Sequence, residues 1–321
     1  MTVTTIETLG LLLEKEGCTL YYASSKKNKI IRLSEMLYKT FIYRNKVDFV
    51  LIDTYSTYNF WYAFLVSQLC RILKIKYIPK LHGGDLPKRL LKNPRLCSMI
   101  FKNSHINIAP SAYLFEAFSN HGYSELVYIP NAIELQNYSL KVRKTLEPKL
   151  LWVRSFAAIY NPEMAVKVLF ELKKDFPNAE LCMVGPDKDG TLLKTKEVAD
   201  ELGVEVDFTG KLTKKQWWVL SQKYDIFINT THFDNTPVSV IEALALGLPV
   251  ISTNVGGIPY LLKDKVTALL VDDDDVAAMV KAIKEIMSNE ELRDFMVLNS
   301  LHLIESFNWQ VVKSKWHEIL A

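Results

Sequence analysis

Cysteine is scarce in this 321-residue chain: Cys18, Cys70, Cys97 and Cys182 stand singly, with no Cys-x-x-Cys pair. That scatter argues against a disulfide framework or a structural zinc site, and the apolar or helical surroundings suit reduced, buried thiols. Long apolar runs are lacking too. The longest, Phe60 to Cys70, is broken by Ser67 and Gln68 and reaches only about half of the roughly 20 residues a membrane helix needs. The opening MTVTTIETLG carries no basic start, apolar run or small-residue cleavage site, so no secretory signal is read there and a cytoplasmic location is expected. Neither half places a Gly-x-Gly-x-x-Gly after a strand, which removes the usual ground for a nicotinamide-dependent oxidoreductase.

What is present is a globular composition, 49% apolar, enough to fill two cores. The net charge of +3 hides an asymmetry: residues 1–140 hold 17 Lys and Arg against 10 Asp and Glu, and the remainder hold 22 against 26. The first half is the one suited to an anionic partner.

Short apolar runs alternate with helical patterns throughout. In the second half, strands are read at Leu150–Val153, Leu181–Val184, Val206–Phe208, Asp225–Asn229 and Pro249–Ser252, with helices at Met164–Lys174 and Pro237–Leu246. The first half repeats the theme, with a helix from about Thr2 to Lys15 and strands at Thr19–Ala23, Phe49–Ile52, Lys76–Pro79, His105–Ala109 and Leu126–Ile129. Such alternation predicts parallel sheets covered on both faces, hence an α/β chain of two Rossmann-like domains. The polar stretch Tyr138 to Leu150 is read as the linker. The domains expected are 1–140, 141–305 and a terminal helix at 306–321 that is free to pack back on either domain, the N-terminal one being the candidate.

The most informative stretch is Thr231 to Tyr260, THFDNTPVSVIEALALGLPVISTNVGGIPY. Thr236-Pro237 reads as a helix start, with a hydroxyl to cap free N–H groups and a proline at the first helical position. The N–H groups and positive dipole end beside Pro237 and Val238 suit a phosphate. Asp234 precedes this start and Glu242 lies inside the helix, with seven residues between them. One carboxylate could meet a sugar and the other a ribose, with a diphosphate between; a capping Asp and a solvated Glu are the plainer reading of the spacing alone.

The surrounding residues resemble the family 4 retaining glycosyltransferases of the GT-B fold. The resemblance rests on Asp234-Asn235-Thr236-Pro237, on Glu242-Ala-Leu-Ala-Leu-Gly-Leu-Pro-Val250, and on Thr253-Asn-Val-Gly-Gly257. It implies two parallel-sheet domains facing across a cleft, the second holding the nucleotide sugar. It also implies that Glu242 bonds the donor ribose, that Asp234 faces the donor sugar in a position the family fills with Glu, and that Asn235 to Val238 line the donor site. Upstream, Leu150-Leu-Trp-Val-Arg154 resembles the family's strand ending in an arginine that binds the diphosphate. A guanidinium fork suits that task. The lysine that the family places shortly after it is absent here, and Lys211 after Thr209-Gly210 is the candidate substitute. In the first half, Lys80-Leu-His82-Gly83-Gly84 follows a strand and matches a His-Gly pair of the family; glycines admit close approach of a ligand and an imidazole can meet a sugar. The chain opens inside what reads as the first helix, so the first strand and glycine-rich loop of the family's N-terminal domain are expected to be missing.

Two features invite other readings. Asp272 to Asp275 could suggest a metal, but it sits at a helix start where acidic residues favour the dipole, and no metal or other cofactor is expected. Ser24 to Lys46 is basic, with Ile30, Leu33, Leu37 and Phe41 at helical spacing. It is read either as a helix docking on anionic lipid at the inner membrane surface or, preferably, as one burying that stripe against a sheet.

The function expected is transfer of a sugar from a nucleoside diphosphate donor to an acceptor hydroxyl, saccharide or lipid-linked, in cell-surface polysaccharide or glycolipid synthesis, with no nucleic-acid partner. A nucleotide-sugar epimerase on the same scaffold and a non-catalytic donor-binding relative are the alternatives.

Overall fold

The computed structural model describes residues 5–24 and 26–321, so Thr2 to Thr4 of the expected first helix lie outside the described residues. The chain forms two compact units, Met1–Ala132 together with Trp309–Ala321, and Ile133–Asn308.

The first unit contains α1 (Thr5–Lys15), α2 (Lys29–Ile42), β1 (Phe49–Thr54), α3 (Phe60–Leu73), β2 (Lys76–Leu81), α4 (Leu86–Lys92), α5 (Pro94–Phe101), β3 (Asn107–Ala109), α6 (Ala112–Asn120) and β4 (Leu126–Tyr128). The four strands pair in parallel in the order β1-β2-β3-β4. Because strand side chains alternate between faces, Ile52, Tyr77 and Leu81 join Phe60, Phe101 and Phe118 in one core, while Ile78 and Ile108 join a second. That second core is closed by Leu9, Leu12 and Leu13 of α1 and by Trp309, Val312 and Trp316 from the far end of the chain. Glu16 ties the two covering helices, accepting from Trp309 Nε1 at 3.1 Å and pairing with Lys313 at 3.2 Å.

The strand expected at Thr19–Ala23 does not form. Its groups are used locally: Tyr22 donates to Glu14 at 3.1 Å, Lys39 Nζ donates to the Tyr22 carbonyl at 2.6 Å, and Tyr21 stacks on Tyr43. Tyr21 and Tyr22 are exposed, so no buried face is available to hold a strand in register. The stripe on α2 is also only partly buried. Asn28 caps the helix by accepting from Ile30 and Ile31 N–H, Met36 and Leu37 pack on the core, and Ile30, Ile31, Tyr38 and Phe41 remain exposed.

The second unit contains β5 (Lys149–Val153), α7 (Pro162–Lys173), β6 (Glu180–Val184), α8 (Thr191–Glu201), β7 (Asp207–Gly210), α9 (Lys214–Ser221), β8 (Ile226–Asn229), α10 (Val238–Ala245), β9 (Val250–Thr253), α11 (Ile258–Leu261), β10 (Leu269–Val271), α12 (Val276–Ser288) and α13 (Glu290–Glu305). The last helix, α14 (Trp309–Leu320), is the one that returns to the first unit. The six strands are parallel in the order β10-β9-β8-β5-β6-β7. Leu150 and Trp152 of β5 face the core under α7, α8 and α12, and Leu151 faces the core under α9 and α10. Burial on both faces is why these strands read as continuous apolar runs.

The boundary differs from the one expected at 140/141: the change of unit comes at Ala132/Ile133. The polar stretch read as a linker is bound to the second unit. Ile133 N–H donates to Phe307 O at 2.8 Å. Buried Arg143 donates to the carbonyls of Ser221, Tyr224, Leu246 and Gly247 at 3.0–3.2 Å. These carbonyls lie at the ends of α9 and α10, where a cation is favoured by the helix dipoles. Gly247, at φ 73°, is packed so closely against Leu140 and the Lys141 carbonyl that a side chain there would collide.

Candidate functional site

In the second unit β5 lies between β6 and β8, so the connections leave it in opposite directions and the carboxyl ends of β5 and β8 open a crevice of the kind where doubly wound sheets bind ligands. Arg154 follows β5 and the loop 230–237 follows β8. Arg154 Nη2 forms an ion pair with Asp234 Oδ2. Its guanidinium also lies 4.2 Å from the Tyr160 ring centroid, and its Nε is buried without a partner. The fork therefore keeps an unused donor while held against a carboxylate.

Buried hydroxyls and glycines fix the loop. Trp152 Nε1 donates to Thr230 Oγ1 at 3.0 Å, Thr230 Oγ1 donates to Asn161 O at 2.8 Å, and Thr253 Oγ1 donates to Thr231 O at 2.5 Å. Gly257 N–H donates to Asp234 O at 2.7 Å. A Cβ on Gly256 would overlap the Asp234 carbonyl, and one on Gly257 the Asn235 carbonyl. The Thr-x-x-Gly-Gly turn is thus a backbone seat for Asp234 and Asn235. On the opposite side Gly185 lets β6 end against the Arg154 carbonyl.

The helix start is shifted by one residue from that expected. Pro237 is the N-cap of α10, with extended ψ 113°, and no side chain caps the helix. Thr236 therefore does not serve as the cap, because the proline already occupies the flanking position. The first-turn N–H groups at Val238 and Ser239 lack a side-chain cap, as an anion seat requires. Ser239 Oγ is buried and has no partner.

Glu242, one turn further along α10, is 3% exposed. Its Oε1 accepts from Tyr138 OH at 2.9 Å and pairs with Lys214 Nζ at 2.9 Å. Burial first, then Glu242, pushes the Tyr138 phenol well up, so it stays a donor. Lys211, the expected substitute cation, is exposed; the lysine brought to Glu242 is Lys214.

In the first unit His82 lies just past β2, and its Nε2 donates to Asp53 Oδ1 at 2.8 Å. An ionised carboxylate accepts only, which leaves Nδ1 as the open nitrogen. Tyr55 stacks on the imidazole at 5.1 Å. Lys80, the register partner of Asp53, is 4% exposed; burial pulls its ammonium down to about 8, with Asp53 opposing. Burial and then Asp53 push the Tyr55 phenol up to about 12. Gly83, at φ 83°, takes the left-handed conformation that turns the chain after His82, and Gly84 O accepts from Tyr113 OH at 3.4 Å.

The structure thus gathers Arg154, Asp234, Asn235, Thr236, Pro237, Val238 and Glu242 around one sheet end, and His82, Gly83 and Gly84 around another. Sequence reasoning missed Tyr138, Lys214, Ser239, Asp53 and Lys80. The last two carried a signal, being charged residues inside apolar strands, whereas Tyr138 and Lys214 carried none. The aspartate run serves the helix start: Asp275 Oδ1 accepts from Ala278 N–H at 2.8 Å, Asp273 meets His232 and Asp274 meets Asn161.

Residues 140–300, half of the chain, match the family described as Glycosyl transferases group 1. The chain belongs to that family. Among relatives, an undecaprenol-linked glycan α-1,4-N-acetyl-D-galactosaminyltransferase of Campylobacter jejuni is 27% identical over 164 residues, 50% of this chain and 44% of that protein. The chain thus spans about half the length of that enzyme. The amylovoran biosynthesis glycosyltransferase AmsK of Erwinia amylovora is 23% identical over 303 residues, 89% of this chain and 74% of its own. Among solved structures, Anabaena HepE in complex with UDP and glucose superposes with a TM-score of 0.78 at 15% identity, covering 97% of this chain and 88% of that one. The fold is GT-B.

Proposed function

We propose that the chain is a retaining glycosyltransferase of the family 4 kind, moving a sugar from a nucleoside diphosphate donor to an acceptor hydroxyl in polysaccharide or glycolipid synthesis. The observation that carries this reading is the convergence of Arg154, the uncapped start of α10, Asp234 and Glu242 at the crevice between β5 and β8. The bond from the anomeric carbon to the phosphate oxygen breaks as charge gathers on the diphosphate, and Arg154 with the first-turn N–H groups of α10 stabilises that charge. The acceptor oxygen bonds to the same face of the carbon, and its proton passes to the departing phosphate. Asp234, released from Arg154 as phosphate takes the guanidinium, meets the sugar hydroxyls. Glu242 accepts from the ribose. Within the first unit, His82 with Gly83 and Gly84 is read as a turn able to meet a sugar.

The relatives support the substrate classes, since the HepE structure holds UDP and glucose and the Campylobacter enzyme acts on an undecaprenol-linked glycan. No helix among the described residues is long and apolar enough to cross a membrane. On α2, exposed Ile30, Ile31, Tyr38 and Phe41 stand beside Lys29 and Arg32, with Arg44 just past the helix end over the Phe41 ring, which suits contact with the anionic membrane surface carrying a lipid-linked acceptor.

A thermal-shift screen of UDP-, GDP- and ADP-sugars tests donor binding, because a ligand that binds only the folded chain raises the melting temperature. At least one donor class is expected to do so, and the absence of any shift would sink the reading. Product analysis with donor alone and with acceptor then separates transfer, which needs the acceptor, from epimerisation, which does not.

A further inference from the structure

Glu242 is held by two side chains that no motif contains, and both bind the same carboxylate oxygen. Tyr138 OH and Lys214 Nζ each lie 2.9 Å from Oε1. Oε2 has no protein partner among the described residues, and it is not among the sealed, partnerless oxygens of the unit. The small exposed fraction of an otherwise buried glutamate is where a ligand can reach it. A carboxylate with one oxygen doubly occupied and the other open presents two lone pairs in one direction.

The placement of Lys214 is costly locally, and that of Tyr138 is fixed by packing. Lys214 opens α9, where the helix dipole disfavours a cation, and Lys215 follows it. Thr213 and Gln216 form a capping box that holds this start in place. Tyr138 lies on the strap anchored by Arg143, and its ring packs at 4.4 Å from Trp218 of α9. That contact sets the direction of the phenol. A local conflict of this kind, held by capping and packing, marks residues kept for a site.

We propose that Tyr138 and Lys214 are positioning residues that aim Glu242 Oε2 at a vicinal diol, making the site selective for ribonucleotides over deoxyribonucleotides. The inference rests on the donor reading above. Lys214 and Tyr138 hold Oε1 from two sides and so keep the carboxylate from rotating.

The test compares binding of UDP, GDP and ADP with their 2′-deoxy forms by calorimetry, using the full chain. For the base that binds, wild type is expected to favour the ribonucleotide by about tenfold or more, since a hydrogen bond to a charged group carries that much discrimination. Tyr138→Phe and Lys214→Met should reduce the preference to twofold or less, and Lys214→Arg should restore most of it. Loss of affinity for both forms in equal measure would mean that the two residues only support the fold, and overturns the proposal while leaving the donor reading intact. An undiminished preference in both variants overturns it as well. No binding of any nucleoside diphosphate by wild type overturns the donor reading, and this inference with it.

Discussion

The two units are built from the same parts yet concentrate chemistry differently. In the first, strands follow one another in space as in sequence, β1-β2-β3-β4, and its polar group is a compact set of neighbours, Asp53, Tyr55, Lys80 and His82, contributed by β1, β2 and the turns after them. In the second, the order turns back at β5, which places residues about eighty positions apart, Arg154 and Asp234, in one ion pair. Topology, more than composition, decides where charged groups from distant segments can converge. The units also differ in how they are closed. The second is bounded by a strap from its own start, and the first needs a helix from the far end of the chain.

The largest expected effect breaks that second difference. Trp316 is buried in the first unit, so Trp316→Ala should cost roughly 3–5 kcal/mol. Calorimetry should show a lowered transition for the first unit while nucleotide binding to the second persists. Loss of both together would show that the units are not independently stable.

Next comes Arg154→Ala, which removes the cation proposed to face the phosphate and strands Asp234. Turnover is expected to fall by about 10²- to 10³-fold, the effect of deleting one charge-stabilising group. Steady-state rates on a responsive donor and acceptor check it; a change below threefold would remove Arg154 from the mechanism.

Lys80 gives a pH signature that belongs to the first unit alone. Its folded value, about 8, lies below the ordinary 10.5, so the unfolded chain binds more protons between those values and wild-type stability rises with pH across that window. Relative to Lys80→Met, the cost of the buried charge is full below pH 8, up to about 3 kcal/mol, and vanishes above 10.5. Denaturant unfolding of both proteins from pH 7 to 10.5 measures the closing gap, and parallel curves would show that Lys80 is not buried as a charge.

The smallest expected effect is on the imidazole. Asp53→Asn frees His82 from its fixed tautomer, and turnover should drop about tenfold, or roughly 1.4 kcal/mol, with nucleotide affinity unchanged. A matching fall in affinity would place His82 in donor binding instead of the reacting centre.

Much of the fold was legible. The strands around Leu150–Val153 and Leu181–Val184 stand within a residue of where their apolar runs put them, because strands buried on both faces leave no choice of pattern. The strand read at Thr19–Ala23 failed because Tyr21 and Tyr22 stay exposed and give no buried face to hold a register. The helix start near Pro237 was legible to one residue, since proline bars the positions before it from helix. Glu242 and Asp234 were legible through a long local motif. Lys214 and Tyr138 were not, because their meeting with Glu242 spans 28 and 104 positions of chain and depends on α9, α10 and the strap packing on one face of the sheet.

The amino-acid sequence by itself determined the alternation of elements, the parallel α/β class and the short-range motif of the second unit, all set by local periodicity and backbone stereochemistry. The tertiary structure alone decided which cation pairs with which carboxylate, where the strap belongs and which helix closes the first sheet. Those outcomes depend on strand order and on the burial of distant apolar faces, which one-dimensional spacing does not encode.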